Sequence, residues 1–301
     1  MNIGIDLGGS HIGIGAVDDS GKIVKYEEVY NTEKDKENME LHIEGYITDV
    51  LTRWKNDEGV SFNKIGIGVP GIIVDNKVER CVNLGIKDYD LKQKIENIFP
   101  GVDVKIKNDA KCAALAEKKL GSLKGYDDCI FLCLGTGIGG AAFFDGELVE
   151  PKCGPGFEFG HTIIKENGEL CKCGNHGCFE MYCSMKSLKR KLKNVLKVPS
   201  DTDGDTLLAM VKSNIGSDEV KIVIDEFIKN LCIGLSNLVN ILEPQAICLG
   251  GGFVKYEDVL LDRIREEFSK AEYIFYKKHI PNIVIASFEN DAGVIGSALC
   301  I

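Results

Sequence analysis

The sequences IGIDLGGS at Ile3–Ser10 and IFLCLGTG at Ile130–Gly137 share one pattern, an apolar run that ends in glycines. Each run predicts a β-strand, and the glycines predict a tight turn. A second apolar run follows each turn and ends at another turn, Asp19–Gly21 or Asp145–Gly146. Strands joined by short glycine-bearing turns are typical of β-hairpins. The recurrence predicts a duplicated half-fold with two related lobes, although two hairpins that arose independently would look the same.

The remaining sequence alternates between strand and helix patterns. Before the second glycine segment it predicts a helix at 34–56, a strand at 64–69, a helix at 91–98, a strand at 102–106 and a helix at 110–120. After residue 185 it predicts helices at 186–197, 206–211, 220–242 and 291–299, the last with Asn290 as a cap signal, and a strand at 246–249. This alternation is typical of an α/β protein.

Composition and charge disfavour several functions. The chain has 301 residues, 44% hydrophobic and 27% charged, and can therefore form one large or two modest domains. Its net charge of −10 disfavours a nucleic-acid-binding surface. No apolar stretch is long enough for a membrane span, and the first residues predict a strand instead of a signal peptide. We therefore expect the twelve cysteines to be mostly reduced thiols in a cytoplasmic protein.

The two glycine turns are candidate phosphate-binding loops. Without side chains, the backbone N–H groups of a turn can approach phosphate oxygens, and a hydroxyl group adds a further donor. The residues concerned are Gly8, Gly9, Ser10, Gly135, Thr136 and Gly137. Asp6, at the end of the first strand, could help to hold a phosphate-bound Mg²⁺ ion, which prefers oxygen ligands. A tight turn is the commoner role of such glycines, but two equivalent turns favour the phosphate hypothesis.

A third glycine segment, Gly250–Gly252, follows a predicted strand. Its backbone could lie against the base and ribose of a nucleotide, or it could simply form the entrance to a helix. This is neither a Walker phosphate loop nor a Rossmann fingerprint. The motif G-x-x-x-x-G-K-[ST] is absent, and the first two glycine turns lead into a second strand instead of a helix.

Asn108 and Asp109 stand where a predicted strand ends and a helix begins. In this position Asp109 could serve simply as a helix N-cap. The functional hypothesis is that Asp109 is a general base, which accepts a proton from a substrate hydroxyl group that attacks a phosphoryl group. Asn108 would then offer a donor and an acceptor to neighbouring hydroxyl groups.

A cluster of metal-ligand residues lies between Glu158 and Glu180. One histidine and three cysteines have the spacing of a tetrahedral zinc site, namely His161, Cys171, Cys173 and Cys178. Protein groups would fill all four positions, which indicates a structural zinc ion without a reacting water molecule. His176 is predicted to be a turn residue, and Cys153 and Cys183 are spare candidate ligands.

Two carboxylates, Glu158 and Glu180, accompany this cluster although zinc does not require them. Carboxylate and imidazole groups on a rigid scaffold suit a sugar, because each sugar hydroxyl both donates and accepts hydrogen bonds. His161 could bind zinc through one ring nitrogen and face a hydroxyl group with the other. The cluster therefore predicts a metal-stabilised loop that presents polar groups to a ligand.

In this order the motifs resemble the ROK family (repressor, open reading frame, kinase) over essentially the whole chain. The less specific motifs are D-x-G-G-S at 6–10, G-V-P-G at 68–71, N-L-G at 83–85, N-D at 108–109, G-T-G at 135–137 and G-G-G at 250–252. The most specific are E-x-G-H at 158–161 and C-x-C-G-x-x-G-C-x-E at 171–180. The resemblance implies a duplicated ribonuclease H-like fold of the actin-like ATPase class, with ATP and sugar in a central cleft between two lobes.

The resemblance also implies residue roles. Asp109 would be the catalytic base that deprotonates a sugar hydroxyl group. The sugar would be bound by Asn83, Asn108, Asp109, Glu158, His161 and Glu180. ATP would be bound by the first two glycine turns with Asp6, and by Gly250, Gly251 and Gly252.

The implied lobes are a small α/β lobe at 1–109, to which a C-terminal helix at 290–301 returns, and a larger α/β lobe at 110–289 with the zinc loop at 158–180. A homodimer is also expected. The first turn departs from the family's usual pattern, with Ser10 in place of Thr and His11 in place of Lys. Because Ser10 keeps the hydroxyl group, phosphate binding is expected to persist.

We therefore expect an ATP-dependent hexose kinase that converts glucose to glucose 6-phosphate with ATP, Mg²⁺ and a structural Zn²⁺ ion. The alternatives are another ROK sugar kinase, acting on fructose, mannose, allose or an N-acetylhexosamine, and a non-catalytic sugar-sensing regulator without a DNA-binding domain. Repressors of this family carry a helix-turn-helix domain ahead of the first turn. Here that turn begins at residue 6, which leaves no space for such a domain, so no nucleic-acid partner is expected. No membrane partner is expected either, because no apolar stretch is long enough to span a bilayer.

Overall fold

The computed structural model describes residues 1–32, 35–152, 154–288 and 291–301. Contacts divide the chain into two units. The first consists of Met1–Lys124, Leu148–Gly156 and Asn290–Ile301, and the second of Gly125–Glu147 and Phe157–Glu289. The predicted helix start at Lys34, the cap residue Asn290 and the spare ligand Cys153 lie outside the described residues.

The first 119 residues form alternating strands and helices. They are β1 (Asn2–Leu7), β2 (His11–Val17), β3 (Ile23–Tyr30), a 3-10 turn (Asp35–Asn38), α1 (Met39–Asn56), β4 (Lys64–Val69), β5 (Ile72–Val74), β6 (Lys77–Cys81), β7 (Ile86–Tyr89), α2 (Leu91–Ile98), β8 (Asp103–Asn108) and α3 (Asp109–Lys119). The predicted elements of this part are confirmed within a few residues at each end.

The following residues contain a second sheet and most of the helices. The elements are β9 (Cys129–Leu134), β10 (Ile138–Phe144), β11 (Glu147–Leu148), a 3-10 turn (Phe159–His161), α4 (Phe179–Cys183), α5 (Met185–Leu196), α6 (Gly204–Ser213), α7 (Asp218–Leu242), β12 (Ala246–Gly250), a 3-10 turn (Gly251–Tyr256), α8 (Glu257–Ser269) and β13 (Asn282–Ile285). The last helix, α9 (Ala292–Leu299), belongs to the first unit.

The central strands of the first sheet alternate isoleucine with glycine, and this alternation separates the two faces of the sheet. Ile3 and Ile65 are fully buried in a core cluster that also contains Trp54 of α1. Gly4 and Gly66 face the other way, where a methyl group on either would overlap a backbone carbonyl of α9. Glycine on this face therefore lets α9 pack directly on the sheet.

The two five-stranded sheets have the same topology. Their strand orders are β3-β2-β1-β4-β8 and β11-β10-β9-β12-β13. In each, an antiparallel hairpin is followed by two parallel strands: β1 pairs with β4 and β4 with β8, as β9 pairs with β12 and β12 with β13. The predicted duplication is confirmed, because hairpins that arose independently would not share the complete strand order.

A small three-stranded sheet, β5-β6-β7, was not predicted. Its strands are short, and only the Pro70-Gly71 turn signal precedes them. The strands β5 and β6 meet at a turn in which Asp75 and Asn76 have positive φ values of 48° and 61°. Asp and Asn tolerate this conformation better than most residues, so a two-residue hairpin forms without glycine.

The first unit extends beyond the predicted boundary at residues 109 and 110. It includes α3, because α3 packs closely against α9, where a methyl group at Gly296 would overlap the carbonyl oxygen of Cys112. It also includes Leu148–Gly156, in which Glu150 forms a 2.6 Å ion pair with Lys107.

No helix in the described part of the chain combines the length and the apolar character needed to span a bilayer.

Candidate functional site

The first glycine turn, Gly8–Ser10, joins β1 to β2. The N–H of Gly8 donates to the carbonyl of His11 (2.8 Å), and the N–H of Asn31 donates to the carbonyl of Ser10 (2.8 Å). Gly9 and Ser10 are exposed, and Ser10 Oγ lies 3.3 Å from His11 Nδ1. The turn is therefore held from the protein side and open on the other, as a phosphate-binding loop requires.

Asp6 lies at the end of β1, two residues before this turn. A methyl group at Gly293 of α9 would overlap its carboxylate, so glycine leaves the space that Asp6 occupies. Burial of the carboxyl group, together with the charge of Asp109, raises the pKa of Asp6 to about 7. Asp6 pairs with Gly68 of β4, and a methyl group at Gly68 would lie 3.6 Å from the Cα atom of Asp109, so the two acids are neighbours. The role of Gly293 was not predicted, because a glycine inside a helix does not indicate its distant neighbour.

The raised pKa of Asp6 makes the stability of the free protein pH-dependent. The folded pKa exceeds the unfolded value, so the stabilising effect of the protonated form is lost as pH rises through about 7. Asp6→Asn should remove this loss. The free energy of unfolding of the variant minus that of the unmutated protein should increase by roughly 2–4 kcal/mol as the pH rises from about 4 to about 8.

Urea unfolding without Mg²⁺ at several pH values measures this difference. Asp88→Asn is the matched control, because Asp88 has a side chain that is 70% exposed and already adopts a positive φ that Asn tolerates. Its stability should run parallel to that of the unmutated protein. A parallel curve for Asp6→Asn would contradict the raised pKa.

Asn108, not Asp109, is the N-cap of α3. Its Oδ1 accepts hydrogen bonds from the N–H groups of Ala110 (3.0 Å) and Lys111 (3.3 Å), and its Nδ2 donates to the carbonyl of Gly71 (3.2 Å). Asp109 is the first helical residue, and its Oδ1 accepts from the Ala110 N–H (2.8 Å). The N-cap interpretation of Asp109 is thus wrong, and its half-buried carboxylate is fixed at the start of a helix.

Asn83 lies in the connection between β6 and β7, where its side chain is exposed. A methyl group at Gly9 would stand 3.8 Å from the Cβ atom of Asn83, so this residue borders the first glycine turn. The small sheet that the sequence analysis missed is what brings Asn83 to this place. Within the first unit, the structure therefore groups Asn83 with the phosphate-loop candidates.

The second and third glycine segments adjoin each other in the second unit. In the turn Gly135–Gly137, the N–H of Gly135 donates to the carbonyl of Gly137 (3.0 Å), and Thr136 is exposed. Gly251 has a φ of 69°, and a methyl group there would lie only 2.9 Å from the carbonyl oxygen of Leu134. Gly250–Gly252 thus passes directly against the strand end from which the second turn begins.

The four predicted metal ligands converge. His161 Nδ1 lies 3.7 Å from Cys171 Sγ, and Cys173 Sγ lies 3.5 Å from Cys178 Sγ. The four ligand atoms all lie within 4.8 Å of one another. Sulfur and nitrogen ligands arranged tetrahedrally around one zinc ion are about 3.4–3.8 Å apart. The side chains therefore fit a Cys3His zinc site with only small adjustments.

A tight loop brings the three cysteines together. Antiparallel bridges pair Ile163 with Cys178 and Leu170 with His176. At Gly177 the backbone has a φ of 79°, and a methyl group would overlap the carbonyl of Lys165, so only glycine fits this turn. His176 Nδ1 lies 3.0 Å from the carbonyl of Gly168, consistent with its predicted role in the turn.

Cys183 does not belong to the metal cluster. It is fully buried in the hydrophobic core of the second unit, with its Sγ directed at the carbonyl of Phe227. Its assignment as a spare ligand was wrong. Sequence distance from Cys178 was short, but α4 turns the Cys183 side chain into the core, away from the loop.

Glu180 connects the metal cluster to the second glycine turn. Its Oε1 lies 3.2 Å from Cys171 Sγ and 3.8 Å from His161 Nδ1. Its Oε2 accepts a long hydrogen bond of 3.4 Å from the N–H of Ile138, and a methyl group at Gly137 would overlap it. Glu180 was predicted only to bind the sugar, and its connection to the second glycine turn was not predicted because no local sequence pattern indicates it.

A short 3-10 turn, Phe159–His161, begins directly after Glu158 and ends at the ligand candidate His161. Glu158 is exposed, and its carbonyl accepts a 3.0 Å hydrogen bond from the N–H of His161. Between them, Gly160 packs against the backbone of Ile138, where a methyl group would overlap the carbonyl oxygen. His161 directs Nδ1 at the cysteines, so Nε2 is the ring nitrogen left for another partner.

The ROK family model matches residues 2–301 of this sequence. The chain therefore belongs to the ROK family, as the motif resemblance indicated. Two relatives show the breadth of the match. The glucokinase of Streptomyces coelicolor is 29% identical over 313 residues, covering 99% of this chain and 96% of the relative. The xylose repressor of Bacillus subtilis is 32% identical over 279 residues, covering 90% of this chain and 69% of the repressor.

Solved structures agree in fold. A ROK family glucokinase from Streptomyces griseus, in complex with glucose and AMPPNP, superposes with a TM-score of 0.80 at 27% identity, covering 99% of this chain and 97% of that one. A ROK hexokinase from Thermus thermophilus gives 0.79 at 26% identity, covering 99% and 96%. The predicted duplicated actin-like ATPase fold is confirmed.

Proposed function

We propose that this protein is an ATP-dependent sugar kinase that phosphorylates glucose to glucose 6-phosphate. The observation that carries the proposal is that two carboxyl groups, Asp6 and Asp109, are neighbours in the first unit: Asp6 pairs with Gly68, and a methyl group at Gly68 would lie 3.6 Å from the Cα atom of Asp109. A kinase needs an acid for the metal ion and a base for the acceptor hydroxyl. The similarity to glucokinases over nearly the whole chain supports the same assignment.

In the proposed reaction, Asp109 acts as the general base. Its carboxylate accepts the proton of the sugar O6 hydroxyl as that oxygen attacks the γ-phosphorus of ATP. The bond between the γ-phosphorus and the bridging oxygen breaks, and ADP leaves. The cap formed by Asn108 holds Asp109 at the start of α3, so the base is positioned before the substrate arrives.

The glycine turns would bind ATP. The N–H groups of Gly8 and Gly135 already donate within their own turns. We propose that the other N–H groups of Gly8–Ser10 and Gly135–Gly137 donate to phosphate oxygens, and that Gly250–Gly252 lies against the nucleoside. A bound Mg²⁺ ion would neutralise phosphate charge, with Asp6 as its protein ligand. Asp6 fits this role because a nearby cation would favour its charged form. The glucokinase neighbour in complex with AMPPNP, an ATP analogue, supports nucleotide binding.

We propose sugar-binding roles for Asn83 and Asn108 in the first unit and for Glu158, His161 and Glu180 in the second. Asn108 uses one of its two Nδ2 hydrogens on Gly71, so the other can reach a hydroxyl group. His161 can hold a zinc ion through Nδ1 and donate to a sugar oxygen through Nε2. A zinc ion held by the four cluster residues would have a structural role, because no ligand position remains for a reacting water. It would make this loop rigid.

The competing function is that of a sugar sensor, supported by the 32% identity to a xylose repressor. The net charge of −10 and the retention of Asp109 beside Asp6 favour the enzyme. We also propose a homodimer without a nucleic-acid partner. Light scattering should then give twice the chain mass, and added DNA should leave that value unchanged.

A coupled ADP-release assay over a panel of sugars tests the function. The panel contains glucose, fructose, mannose, allose, N-acetylglucosamine, N-acetylmannosamine and xylose. We expect kcat/KM for glucose to exceed that for every other sugar by at least about tenfold, the discrimination that one or two lost hydroxyl contacts produce. Release of ADP with another sugar as the best substrate would reassign the specificity. Sugar binding by calorimetry without ADP release from any sugar would identify a sensor and refute the kinase.

A further inference from the structure

Cys112 and Cys300 are two thiols of the first unit that the proposed reaction does not use. Cys112 lies in α3 and is fully buried, whereas Cys300 follows the last residue of α9 and is partly exposed. Their side chains are hydrogen-bonded to each other. The two thiols are therefore neighbours in the fold although 187 residues separate them in the chain.

Two glycines of β4 make room for these sulfur atoms. A methyl group at Gly66 would lie 3.0 Å from Cys300 Sγ, and one at Gly68 would lie 3.4 Å from Cys112 Sγ. Residues two apart in a strand face the same side and stand about 6.6 Å from each other. The two thiols thus lie side by side on one face of the sheet, over neighbouring glycines.

The helices that carry the thiols are in direct backbone contact. A methyl group at Gly296 would overlap the carbonyl oxygen of Cys112, so α9 and α3 touch at this level. Cys300 follows Gly296 by four residues, a spacing that keeps it near the same side of the helix. The close approach of the two backbones is what allows their side chains to bridge without a large movement.

Cys300 is the more reactive thiol of the pair. The hydrogen bond with Cys112, together with the positive charges of Lys107 and Lys119, lowers the pKa of Cys300 below its ordinary value. Lys119 also donates to the carbonyl of Leu299 (2.7 Å), which keeps its ammonium group next to Cys300. A partly exposed thiol with a lowered pKa and a second thiol beside it has the character of an oxidation-sensitive pair.

We propose that Cys112 and Cys300 are a modification site that a hydroperoxide closes to a reversible disulfide. The Cys300 thiolate attacks one peroxide oxygen and the O–O bond breaks. A sulfenic acid forms, and the leaving hydroxide takes up the proton that the Cys300 thiol released on ionisation, which gives one water. The Cys112 thiol then attacks the sulfenyl sulfur, the S–O bond breaks, and hydroxide leaves with the thiol proton as a second water. Two thiols and one hydrogen peroxide thus give one disulfide and two waters.

The disulfide would join the end of α9 to α3 one helical turn after Asp109. Because the closed loop would contain most of the chain, it should raise the midpoint of thermal unfolding by about 5 °C or more. A thiol reductant should break the disulfide and return the unfolding midpoint to its original value. The proposal does not depend on the kinase assignment, since mass and unfolding temperature are its readouts.

The test treats zinc-loaded protein with an equimolar amount of hydrogen peroxide, blocks the remaining thiols and maps the peptides by mass spectrometry. We expect a loss of two hydrogen atoms, a linked peptide pair containing Cys112 and Cys300, and reversal by dithiothreitol. Cys300→Ser and Cys112→Ser should each abolish the linked pair, while Cys133→Ser, the change of a partly exposed thiol in the second unit, should preserve it.

Three outcomes would overturn the proposal. The linked pair could be absent while Cys300 carries a sulfinic acid, a disulfide could form elsewhere and survive both serine variants, or the thiols could stay unmodified. Circular dichroism of the reduced variants distinguishes loss of the disulfide from loss of the fold. Should Cys112→Ser fail to fold, the milder Cys300→Ser decides the result.

Discussion

Asp109→Asn should lower kcat by about 10²- to 10⁴-fold, the usual contribution of a positioned general base. The amide has the shape of the carboxylate, and its oxygen can still accept the hydrogen bond from the Ala110 N–H. It cannot take the proton of the attacking hydroxyl group. The dissociation constant for glucose should therefore change by less than about threefold, because removal of a transition-state contact affects kcat more than ground-state binding.

The same substitution has a second, independent consequence. The charge of Asp109 is one of the two causes of the raised pKa of Asp6, so its removal should bring that pKa down toward the ordinary value. Carboxyl-carbon NMR of Asp6 would follow this change. The two readouts separate loss of the base from general damage to the site.

Asp88→Asn is the matched control, an identical change at an exposed aspartate of the first unit. Its turnover should equal that of the unmutated protein. Near-normal turnover in Asp109→Asn would show that another group accepts the proton. A loss of glucose binding equal to the loss of kcat would mean that Asp109 mainly binds sugar.

Loss of the metal ion should have the second-largest effect, a decrease in kcat/KM for glucose of about 10- to 100-fold. The loop that the metal cluster closes holds the proposed sugar-binding residues, Glu158, His161 and Glu180. A displacement of about 1 Å in such groups is enough for a loss of this size. Because Glu180 also contacts Ile138 at the second glycine turn, KM for ATP should rise as well.

Cys178→Ser is the variant of choice, since Cys178 is a ligand candidate that carries no other proposed role. Elemental analysis should give about one zinc per chain before the change and none after it. His176→Ala is the control within the same loop, because His176 lies outside the ligand set and should leave zinc content and activity unaltered.

Metal add-back completes this experiment. Unmutated protein stripped by a chelator should regain its kcat/KM when zinc returns, whereas Cys178→Ser should not. A zinc-free protein with unchanged affinity for glucose and ATP would disprove the link between the metal and the two substrates. A zinc content of zero in the unmutated protein would disprove the metal site itself.

The sequence predicted the site's parts better than their connections. The zinc ligands lie within 18 residues, and their types and spacing were sufficient to identify them. Asp109 was found at the junction of a strand and a helix, a local signal. The role of Asn108 as the actual N-cap could not be decided, since two adjacent polar residues satisfy the same pattern and only the backbone angles distinguish them.

The small sheet and the glycine packing were harder to predict. Short strands such as β5 carry too few residues for a periodicity, so the placement of Asn83 beside Gly9 was not foreseen. The alternation of isoleucine and glycine in β1 and β4 predicted strands, but it did not show that α9 would lie on the glycine face.

By itself the sequence determined the duplicated hairpins, the glycine turns, the position of Asp109 and the Cys3His cluster, because each is encoded by residue types within a short span. The tertiary structure alone decided that Gly293 leaves room for Asp6, that Glu180 reaches both the cluster and Ile138, and that Cys112 meets Cys300. These contacts join residues far apart in the chain. They depend on how closely two backbones approach, and that distance is fixed only when the sheets and helices pack together.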